Sequence, residues 1–352
     1  MEEDFSDKLY TRLGNSGLRI SRIVVGCMSI GNKQWGDWVL AEKKEVFEVL
    51  KKAYDVGIRT YDTADVYSNG DSERLLGEFL KEYNIPRENV VILSKVFFPY
   101  DDNNPEFSFI KLMINKVNLQ KFHNRIGLSR KHILDAAEAS VKSLGTYMDV
   151  FQIHRFDPNT EIEETMEALH DVVRSGKARY IGASSMRAYQ FVNMQAVAEK
   201  NGWTKFISMQ DYFNLVYREE EREMIPYCKQ YGVGLIPYSP NERGLLTRSL
   251  NSEGTLRTKS KPENLTKADI EIVNRVEEIA KKHGVAMATV SLAWVLHKGA
   301  NPIVGFSKPE RIDDALAAVD LELTEEELAY LEEPYQPKPV SFMLEQKKIE
   351  FN

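Results

Sequence analysis

The chain has 352 residues, of which 43% are hydrophobic and 28% are charged. That composition is typical of a folded globular protein and argues against an intrinsically disordered chain. The formal net charge is -7 and the basic residues are scattered, so neither a nucleic-acid surface nor a membrane-binding surface is expected.

Three features of the sequence point to the cytoplasm. The two cysteines, Cys27 and Cys228, are far apart and outside any CxxC pair, which argues against a disulfide framework and a cysteine-rich metal site. The acidic first residues lack the apolar or arginine-rich character of a targeting segment. No apolar run approaches the ~18 residues that a membrane span needs. The sequence therefore predicts a cytoplasmic protein.

Short β-rich runs alternate with helical patterns along most of the chain. Before the first of them, TRLGNSGLRIS (11–21) alternates around a Gly/Asn/Ser turn and predicts a β-hairpin. Eight strands are predicted after it. They are RIVVG (22–26), GIRTYD (57–62), VVILSK (90–95), DVFQIH (149–154), YIGAS (180–184), FISMQ (206–210), GLIPYS (234–239) and PIVGFS (302–307).

Helix ends are marked by residues with capping chemistry. Ser72 and Ser129 each precede an amphipathic run, and Gly145 is expected to end the second of these helices. Thr160 and Glu163 have the spacing of a capping box, with Gly176 as the expected stop of that helix.

Eight strand–helix units with nearly continuous apolar strands favour a parallel sheet closed into a (β/α)8 TIM barrel, an α/β fold. A doubly wound open sheet is the alternative. The whole chain, 1–352, is predicted to be one domain, with the barrel core at about 20–320 and a C-terminal tail at 321–352. The hairpin could plug one end of the barrel. The long segments Phe97–Leu128 and Pro240–Thr266 would lie at the C-terminal mouth.

Several predicted strands end in a polar residue. Asp62, Lys95 and His154 close three successive strands, and Tyr67 follows Asp62 on the next loop. Each residue alone has an ordinary explanation as a turn former, an exposed cation or a structural histidine. In a barrel, however, the carboxyl ends of the strands converge on one opening. The four side chains are therefore expected to lie close together.

These four residue types make chemical sense as one site. A free tyrosine titrates near ~10, and a lysine cation beside it would lower that pKa while an aspartate holds the lysine charged. The histidine could hydrogen-bond the same substrate oxygen. Such a group suits a general acid that protonates a carbonyl oxygen as hydride reaches the carbon. It contains neither a nucleophile nor a metal triad.

A candidate phosphate site follows the eighth strand, whereas GxGxxG is absent after the first strand. In GFSKPERIDDAL (305–316), Ser307 and Glu310 have capping-box spacing, and Lys308 and Arg311 are expected in the first helical turn. A helix N-terminus with two cations suits a phosphate, but a basic first turn taken by itself is more often ordinary surface.

These motifs together resemble the aldo-keto reductase superfamily over about residues 10–335. The stretch GIRTYDTADVYSNGDSERLLGEFL (57–80) is similar to the family's Asp and Tyr motif, VVILSK to its lysine strand, and DVFQIHR with KARYIGASS to its central region. GCMSIG, QIHRFDPNT and the tail AWVLHKGANPIVG with TEEELAYLEEPY resemble the fungal aryl-alcohol-dehydrogenase-like and versiconal-hemiacetal-acetate-reductase-like group.

The resemblance implies a catalytic tetrad in which Tyr67 is the proton donor, with NADPH/NADP+ extended across the mouth. The implied tetrad consists of Asp62, Tyr67, Lys95 and His154. The implied cofactor contacts are Ser184, Ser185 and Gln210 at the carboxamide, Tyr238 stacked on the nicotinamide, Ser239, Pro240, Arg243 and Gly244 at the pyrophosphate, Ser307, Lys308 and Arg311 at the 2'-phosphate, and Asp314 at the adenine. Ser185 and Ala315 replace asparagines that are common in the family, and Arg243 reaches either phosphate or solvent.

The leading hypothesis is an NADPH-dependent oxidoreductase that reduces small-molecule aldehydes or ketones, including aromatic ones, to alcohols. An NADP(H)-binding regulatory subunit with slow turnover is the alternative, and a structural barrel with a decayed site is a third. No segment indicates a protein partner. Aromatic residues of the mouth segments could line a substrate pocket or pack the loops onto the barrel; they are Trp35, Trp38, Phe97, Phe98 and Tyr100.

Overall fold

A computed structural model describes residues 8–101, 104, 107, 122–252 and 265–341. Two strands form a hairpin, β1 (Tyr10–Arg12) and β2 (Arg19–Ser21). Eight parallel strands follow: β3 (Val24–Gly26), β4 (Thr60–Asp62), β5 (Val91–Val96), β6 (Met148–Ile153), β7 (Ala178–Ser184), β8 (Phe206–Gln210), β9 (Gly234–Leu235) and β10 (Ile303–Val304). The described helices are α1 (Lys43–Asp55), α2 (Asp71–Glu82), α3 (Arg130–Leu144), α4 (Ile162–Arg174), α5 (Ala188–Asn201), α6 (Met224–Tyr231), α7 (Lys267–His283), α8 (Met287–His297), α9 (Glu310–Asp320) and α10 (Glu325–Glu332).

The sheet closes on itself. The ladder runs β10-β3-β4-β5-β6-β7-β8-β9 with every neighbouring pair parallel. Backbone hydrogen bonds then join its two ends, from Asn301 N to Leu235 O at 2.8 Å and from Ile303 N to Pro237 O at 2.9 Å. The (β/α)8 barrel is therefore confirmed over the open sheet. The last two strands are shorter than predicted, and Pro237, which lacks an N–H, lies within the predicted 234–239 run.

The hairpin plugs the N-terminal end of the barrel, as expected. Leu13 and Ile20 are fully buried in a cluster with inward-facing strand residues. The tip of the hairpin lies against the start of β9, where Asn15 N donates to Gly232 O at 2.7 Å. A Cβ at Gly14 would lie 2.2 Å from that carbonyl oxygen, so the close approach requires glycine there.

Of the ends expected for α2, α3 and α4, three are confirmed and two N-caps are wrong. Gly176 follows the end of α4 with a left-handed φ of 77°, and its N donates to Val173 O at 3.0 Å. The Ser129 hydroxyl accepts from His132 N at the start of α3, and Gly145 ends that helix in the left-handed conformation. Ser72 does not cap α2, because its hydroxyl is buried and donates to Cys27 O at 2.8 Å. Thr160 does not cap α4, because its hydroxyl donates to Asp157 Oδ2 at 2.8 Å.

The C-terminal segment packs on the barrel instead of leaving it. Tyr335 OH donates to Glu219 Oε1 at 2.6 Å, and Lys338 Nζ donates to Asp269 Oδ1 at 2.6 Å. The end of the predicted tail, 342–352, and parts of both long mouth segments lie outside the described residues. Among the described helices, none is long and apolar enough to cross a membrane.

Candidate active site

Asp62 and Lys95 meet inside the mouth because of strand register. Asp62, the last residue of β4, pairs with Leu93 of β5, and Lys95 is two residues further on, so its side chain faces inward as well. Lys95 is fully buried. Its Nζ donates to Asp62 Oδ1 and, at 2.9 Å, to Thr63 O. The lysine predicted at a strand end is therefore paired and not exposed to solvent.

Tyr67 completes the chain of contacts from the loop after β4. Its hydroxyl oxygen accepts a hydrogen bond from Lys95 Nζ at 3.2 Å. The three residues that follow it, Ser68, Asn69 and Gly70, all have positive φ angles, of 49°, 59° and 93°. Left-handed backbone at non-glycine residues is costly, and it persists where neighbouring contacts enforce it. This turn sets the position of the tyrosine.

Asn69 ties that turn to the long segment after β5. Its Nδ2 donates to Asp101 O at 2.7 Å, and its Oδ1 accepts from Asp101 N at 2.7 Å. The side-chain amide of Asn69 thus satisfies both the N–H and the carbonyl of Asp101, as the backbone of a neighbouring strand would. The segment bearing Tyr67 and the first residues of the mouth loop are therefore joined.

His154 lies one residue beyond β6, where its backbone N still donates to Val96 O at 2.9 Å. Its ring meets the Tyr67 ring edge-on, with the centroids 5.7 Å apart. Burial, followed by the nearby cations Arg155 and Lys95, lowers the pKa of His154 well below its usual range. The imidazole is therefore neutral at physiological pH and has one ring N–H that it can donate to a substrate carbonyl oxygen.

The protonation states of the tetrad follow from burial and charge. Burial alone would lower the pKa of Lys95, but Asp62 and Tyr67 together raise it, so the lysine is held as a cation, as expected. Burial raises the pKa of Tyr67, and the Lys95 cation opposes this rise without cancelling it. The expected net lowering of the Tyr67 pKa is thus wrong for this structure, because desolvation outweighs the cation. Tyr67 keeps its proton at neutral pH.

Two glutamines support Asp62, and sequence reasoning missed one of them. Gln152 Nε2 donates to Asp62 Oδ2 at 3.0 Å, and Gln210 Nε2 donates to the same oxygen at 2.8 Å. Gln152 is opposite Lys95 in the register of β5 and β6, two residues after inward-facing Val150, and this period of two could have identified it. A Cβ at Gly182 would lie 3.1 Å from Gln152 Cγ, so the glycine leaves room for that side chain.

The residues implied at the nicotinamide carboxamide lie together at the ends of β7 and β8. Ser184 Oγ donates to Gln210 O at 2.7 Å. The Ser185 hydroxyl lies 3.2 Å from Tyr238 OH, and Ser185 N donates to Asp211 Oδ1 at 3.0 Å. The structure brings Ser184, Ser185, Gln210 and Tyr238 to one side of the mouth. Their contact with a cofactor stays a prediction.

The segment implied at the pyrophosphate is a tightly turned loop. Ser239, Arg243 and Gly244 have positive φ angles of 53°, 52° and 95°. The Pro240 carbonyl accepts from Ser291 Oγ at 3.0 Å, which fixes the loop to α8. Glu242, which the sequence did not single out, is buried there and accepts from Tyr212 OH and Asn214 Nδ2.

Lys308 and Arg311, the two cations after β10, are exposed, as a phosphate site requires. The helix that follows begins later than expected. The helix α9 starts at Glu310 with Pro309 before it, so the expected Ser307 cap is wrong and Lys308 precedes the first turn. Pro309 accounts for the later start, because proline is favoured at the beginning of a helix. Arg311 lies in that turn and pairs with Asp314 at 3.3 Å.

Of the five aromatic residues expected at the mouth, two pack against rings of the tetrad. Trp35 packs edge-on against Tyr67, with centroids 5.9 Å apart, and Phe98 packs in the same way against His154 at 5.1 Å. Phe97 belongs instead to the main core. Tyr100 lies beside Gly70. Trp38 lies against Gly36, near Trp35 in the same segment.

Comparison with known proteins shows which family the chain resembles. The model of the aldo/keto reductase family matches residues 22–336. A Schizosaccharomyces pombe protein named "putative aryl-alcohol dehydrogenase" is 57% identical over 95% of this chain and 98% of its own. A Saccharomyces cerevisiae protein with the same description is 53% identical, covering 93% and 97%. Versiconal hemiacetal acetate reductase of Aspergillus parasiticus is 52% identical, covering 94% and 98%.

The chain therefore belongs to the aldo-keto reductase family, which the motifs predicted. Its membership and its relatives support an oxidoreductase that acts on carbonyl groups. The family generally uses nicotinamide cofactors, NADH or NADPH.

Proposed function

We propose that this protein is an NADPH-dependent reductase that converts small-molecule aldehydes or ketones, including aromatic ones, to alcohols. The observation that carries this proposal is the contact between a fully buried lysine cation and the Tyr67 hydroxyl at 3.2 Å, beside a neutral His154. Trp35, which packs on the Tyr67 ring, and Phe98, which packs on the His154 ring, favour a flat apolar substrate.

Each residue of the tetrad has its own role in the protonation of a carbonyl oxygen. The cofactor, when bound, supplies the hydride. Tyr67 keeps its proton at neutral pH and donates it to the substrate oxygen, while the Lys95 cation stabilises the phenolate that results. Asp62, with its second oxygen held by Gln152 and Gln210, keeps Lys95 charged and in place. His154 orients the carbonyl through one hydrogen bond.

The chain offers a suitable donor set for NADPH. Two exposed cations, Lys308 and Arg311, suit the extra phosphate of NADPH, since arginine binds phosphate oxygens through two N–H groups. The turned loop 239–244 suits the pyrophosphate, because it carries the cation Arg243 beside Gly244, where the lack of a side chain lets a phosphate approach the backbone. Asp314 pairs with Arg311 and would orient it or contact the adenine.

The test mixes purified protein with NADPH and a panel of aromatic and aliphatic aldehydes and ketones while absorbance at the nicotinamide band is followed. Consumption of NADPH with formation of the alcohol is expected. The absence of turnover on every carbonyl, with NADPH still bound, would contradict the proposal and favour a nucleotide-binding regulatory subunit.

The preference for NADPH has its own test. Replacing both cations, in Lys308→Ala/Arg311→Ala, is expected to weaken NADPH binding by about 10- to 100-fold and NADH binding far less, because two charge-assisted contacts are lost. Lys131→Ala, an exposed lysine of α3, is the matched control. Equal weakening of both cofactors would contradict the assignment of these residues to the 2'-phosphate.

The proposed location is the cytoplasm, where NADPH is plentiful and thiols stay reduced. Both Cys27 and Cys228 are free and buried, which suits a reducing compartment.

A further inference from the structure

Arg155 follows the tetrad histidine, and the proposed mechanism uses its charge only to help keep His154 neutral. Its side chain is half-buried. In the described part of the chain its hydrogen bonding is limited to Nη1, which donates to His154 O at 2.5 Å, and no carboxylate forms an ion pair with it. Its other N–H groups have no protein partner in that part of the chain and are not enclosed, so a ligand can reach them.

The guanidinium lies in the aromatic group that surrounds the tetrad. It is over the Phe98 ring, 5.6 Å from the centroid, and Phe98 in turn packs against His154. Its charge acts on tyrosines of two different strand ends, Tyr67 and Tyr238. Burial raises the pKa of each tyrosine, and the Arg155 cation opposes that rise. Arg155 is therefore close to where a substrate would meet Tyr67.

Two ordinary explanations account for only part of this arrangement. Stacking on Phe98 uses the flat face of the guanidinium and leaves its N–H edge for other partners. Asp211 is the carboxyl within electrostatic reach, but its Oδ1 accepts from Ser185 N at 3.0 Å, and burial raises the pKa of Asp211 to about 7. Neither feature supplies the planar pair of oxygens that the edge of an arginine fits.

We propose that Arg155 determines substrate specificity by binding an anionic oxygen pair of the substrate, so that the preferred substrates are carbonyl compounds that also carry a carboxylate. The inference rests on the proposed carbonyl reduction. A carboxylate would find a preformed cation on the rim of the site, while Trp35 and Phe98 hold the ring between the two groups. The chemical class is a carboxylated aromatic aldehyde or ketone.

The test compares substrates of nearly the same shape and different charge. The three carboxybenzaldehyde isomers and their methyl esters are assayed with NADPH, and the ratio of kcat/KM for each acid over its ester is measured. For at least one isomer, wild type is expected to favour the acid by about 10-fold or more. Arg155→Gln is expected to remove that preference, and Arg155→Lys to retain part of it.

Arg179 offers a matched control. It too lies over an aromatic ring, that of Tyr147 at 3.8 Å, and donates to one backbone carbonyl, Gly176 O at 3.0 Å, but it is at the start of β7, far along the strand from the mouth. Arg179→Gln is expected to leave the acid-to-ester ratio at its wild-type value.

The outcomes separate this inference from the proposed function. Turnover of the esters establishes carbonyl reduction whether or not the acids are preferred. The inference would be overturned by a wild-type ratio near one for every isomer, or by an equal loss for acid and ester in Arg155→Gln. It would also be overturned if Arg155→Gln weakened NADPH binding enough to account for the change, since Arg155 would then serve the cofactor.

Discussion

The two ends of the barrel are built from the same strands but from opposite chemistry. At the N-terminal end Leu93 and Val150 pack against Leu13 of the hairpin, and all three are fully buried and apolar. Two residues further along the same strands, the inward positions hold Lys95 and Gln152, equally buried but charged or polar. A step of two residues along a strand, less than 7 Å, separates the packed core from the reactive group.

The difference shows how stability and chemistry are divided within one barrel. The apolar end excludes water with a plug and gains its stability from burial. The polar end is stabilised only where each buried group has a partner, so Asp62 is held by three side chains. Substitutions at the two ends should therefore fail in different ways.

The largest effect is expected at the polar end, in Tyr67→Phe. Removing the hydroxyl removes the proton donor, so kcat should fall by about 10²- to 10⁴-fold, the usual contribution of a general acid. The melting temperature should change little, because the aromatic ring and its packing remain. A steady-state assay of NADPH oxidation and a thermal melt check both parts. A variant that kept more than a tenth of wild-type kcat would show that the donor is another group.

The next effect is loss of stability when the buried ion pair is broken. Asp62→Asn leaves the Lys95 cation buried without its counter-ion, and the free energy of unfolding should fall by about 3–5 kcal/mol. Denaturant unfolding measures this change. Asp55→Asn breaks the exposed pair with Lys51 and should cost less than about 1 kcal/mol. Similar losses in the two variants would mean that the buried pair is already partly hydrated.

At the apolar end we expect the opposite pattern, in which stability falls and turnover does not. Leu13→Ala removes a fully buried side chain from the plug and should lower the free energy of unfolding by about 3 kcal/mol, through lost burial and a cavity. The turnover of the folded protein at low temperature should stay near the wild-type value. A large fall in kcat under conditions where the variant is folded would show that the plug shapes the mouth.

The most gradual effect is a change in how stability depends on pH. Burial raises the pKa of Glu73 from its ordinary 4.5 to about 7, and its carboxyl group is hydrogen-bonded with the Ser94 hydroxyl, beside Lys95. The folded state therefore binds this proton more tightly than the unfolded state. The contribution is complete below pH 4.5 and is lost as the pH rises through 7, by up to about 3 kcal/mol.

Glu73→Gln keeps a hydrogen-bonding group without a titration in this range. Relative to wild type, the variant should gain stability as the pH rises from 4.5 to 7, measured by denaturant unfolding at several pH values. A difference between the two proteins that did not change with pH would show that folding does not raise the pKa of Glu73.

The sequence predicted the parts of this molecule that depend on short repeating patterns. Eight apolar runs were enough to predict the barrel, and the polar ends of several of them were enough to bring Asp62, Lys95, His154 and Tyr67 together. The hairpin at residues 11–21 was also predictable from its turn. Each of these rests on neighbours along the chain or on the rule that strand ends converge.

The wrong predictions depend on contacts between distant segments. Ser72 and Thr160 have the right chemistry for helix caps, but Cys27 O and Asp157 offer their hydroxyls other partners. The pKa of Tyr67 depends on how completely the mouth is desolvated, and the residue types alone do not give that quantity. Gln152 lies within a strand that looks apolar, so its role appears only with the register of β5 and β6.

The paired amide of Asn69 has a consequence for any change to the substrate wall. The turn that holds Tyr67 and the backbone of Asp101 share two hydrogen bonds of 2.7 Å, and both depend on one side chain. The side chain of Asn69 thus connects the segment of the proton donor to the first residues of the loop after β5. A loop transplanted from a relative will keep the donor in register only if its root still presents an N–H and a carbonyl to Asn69.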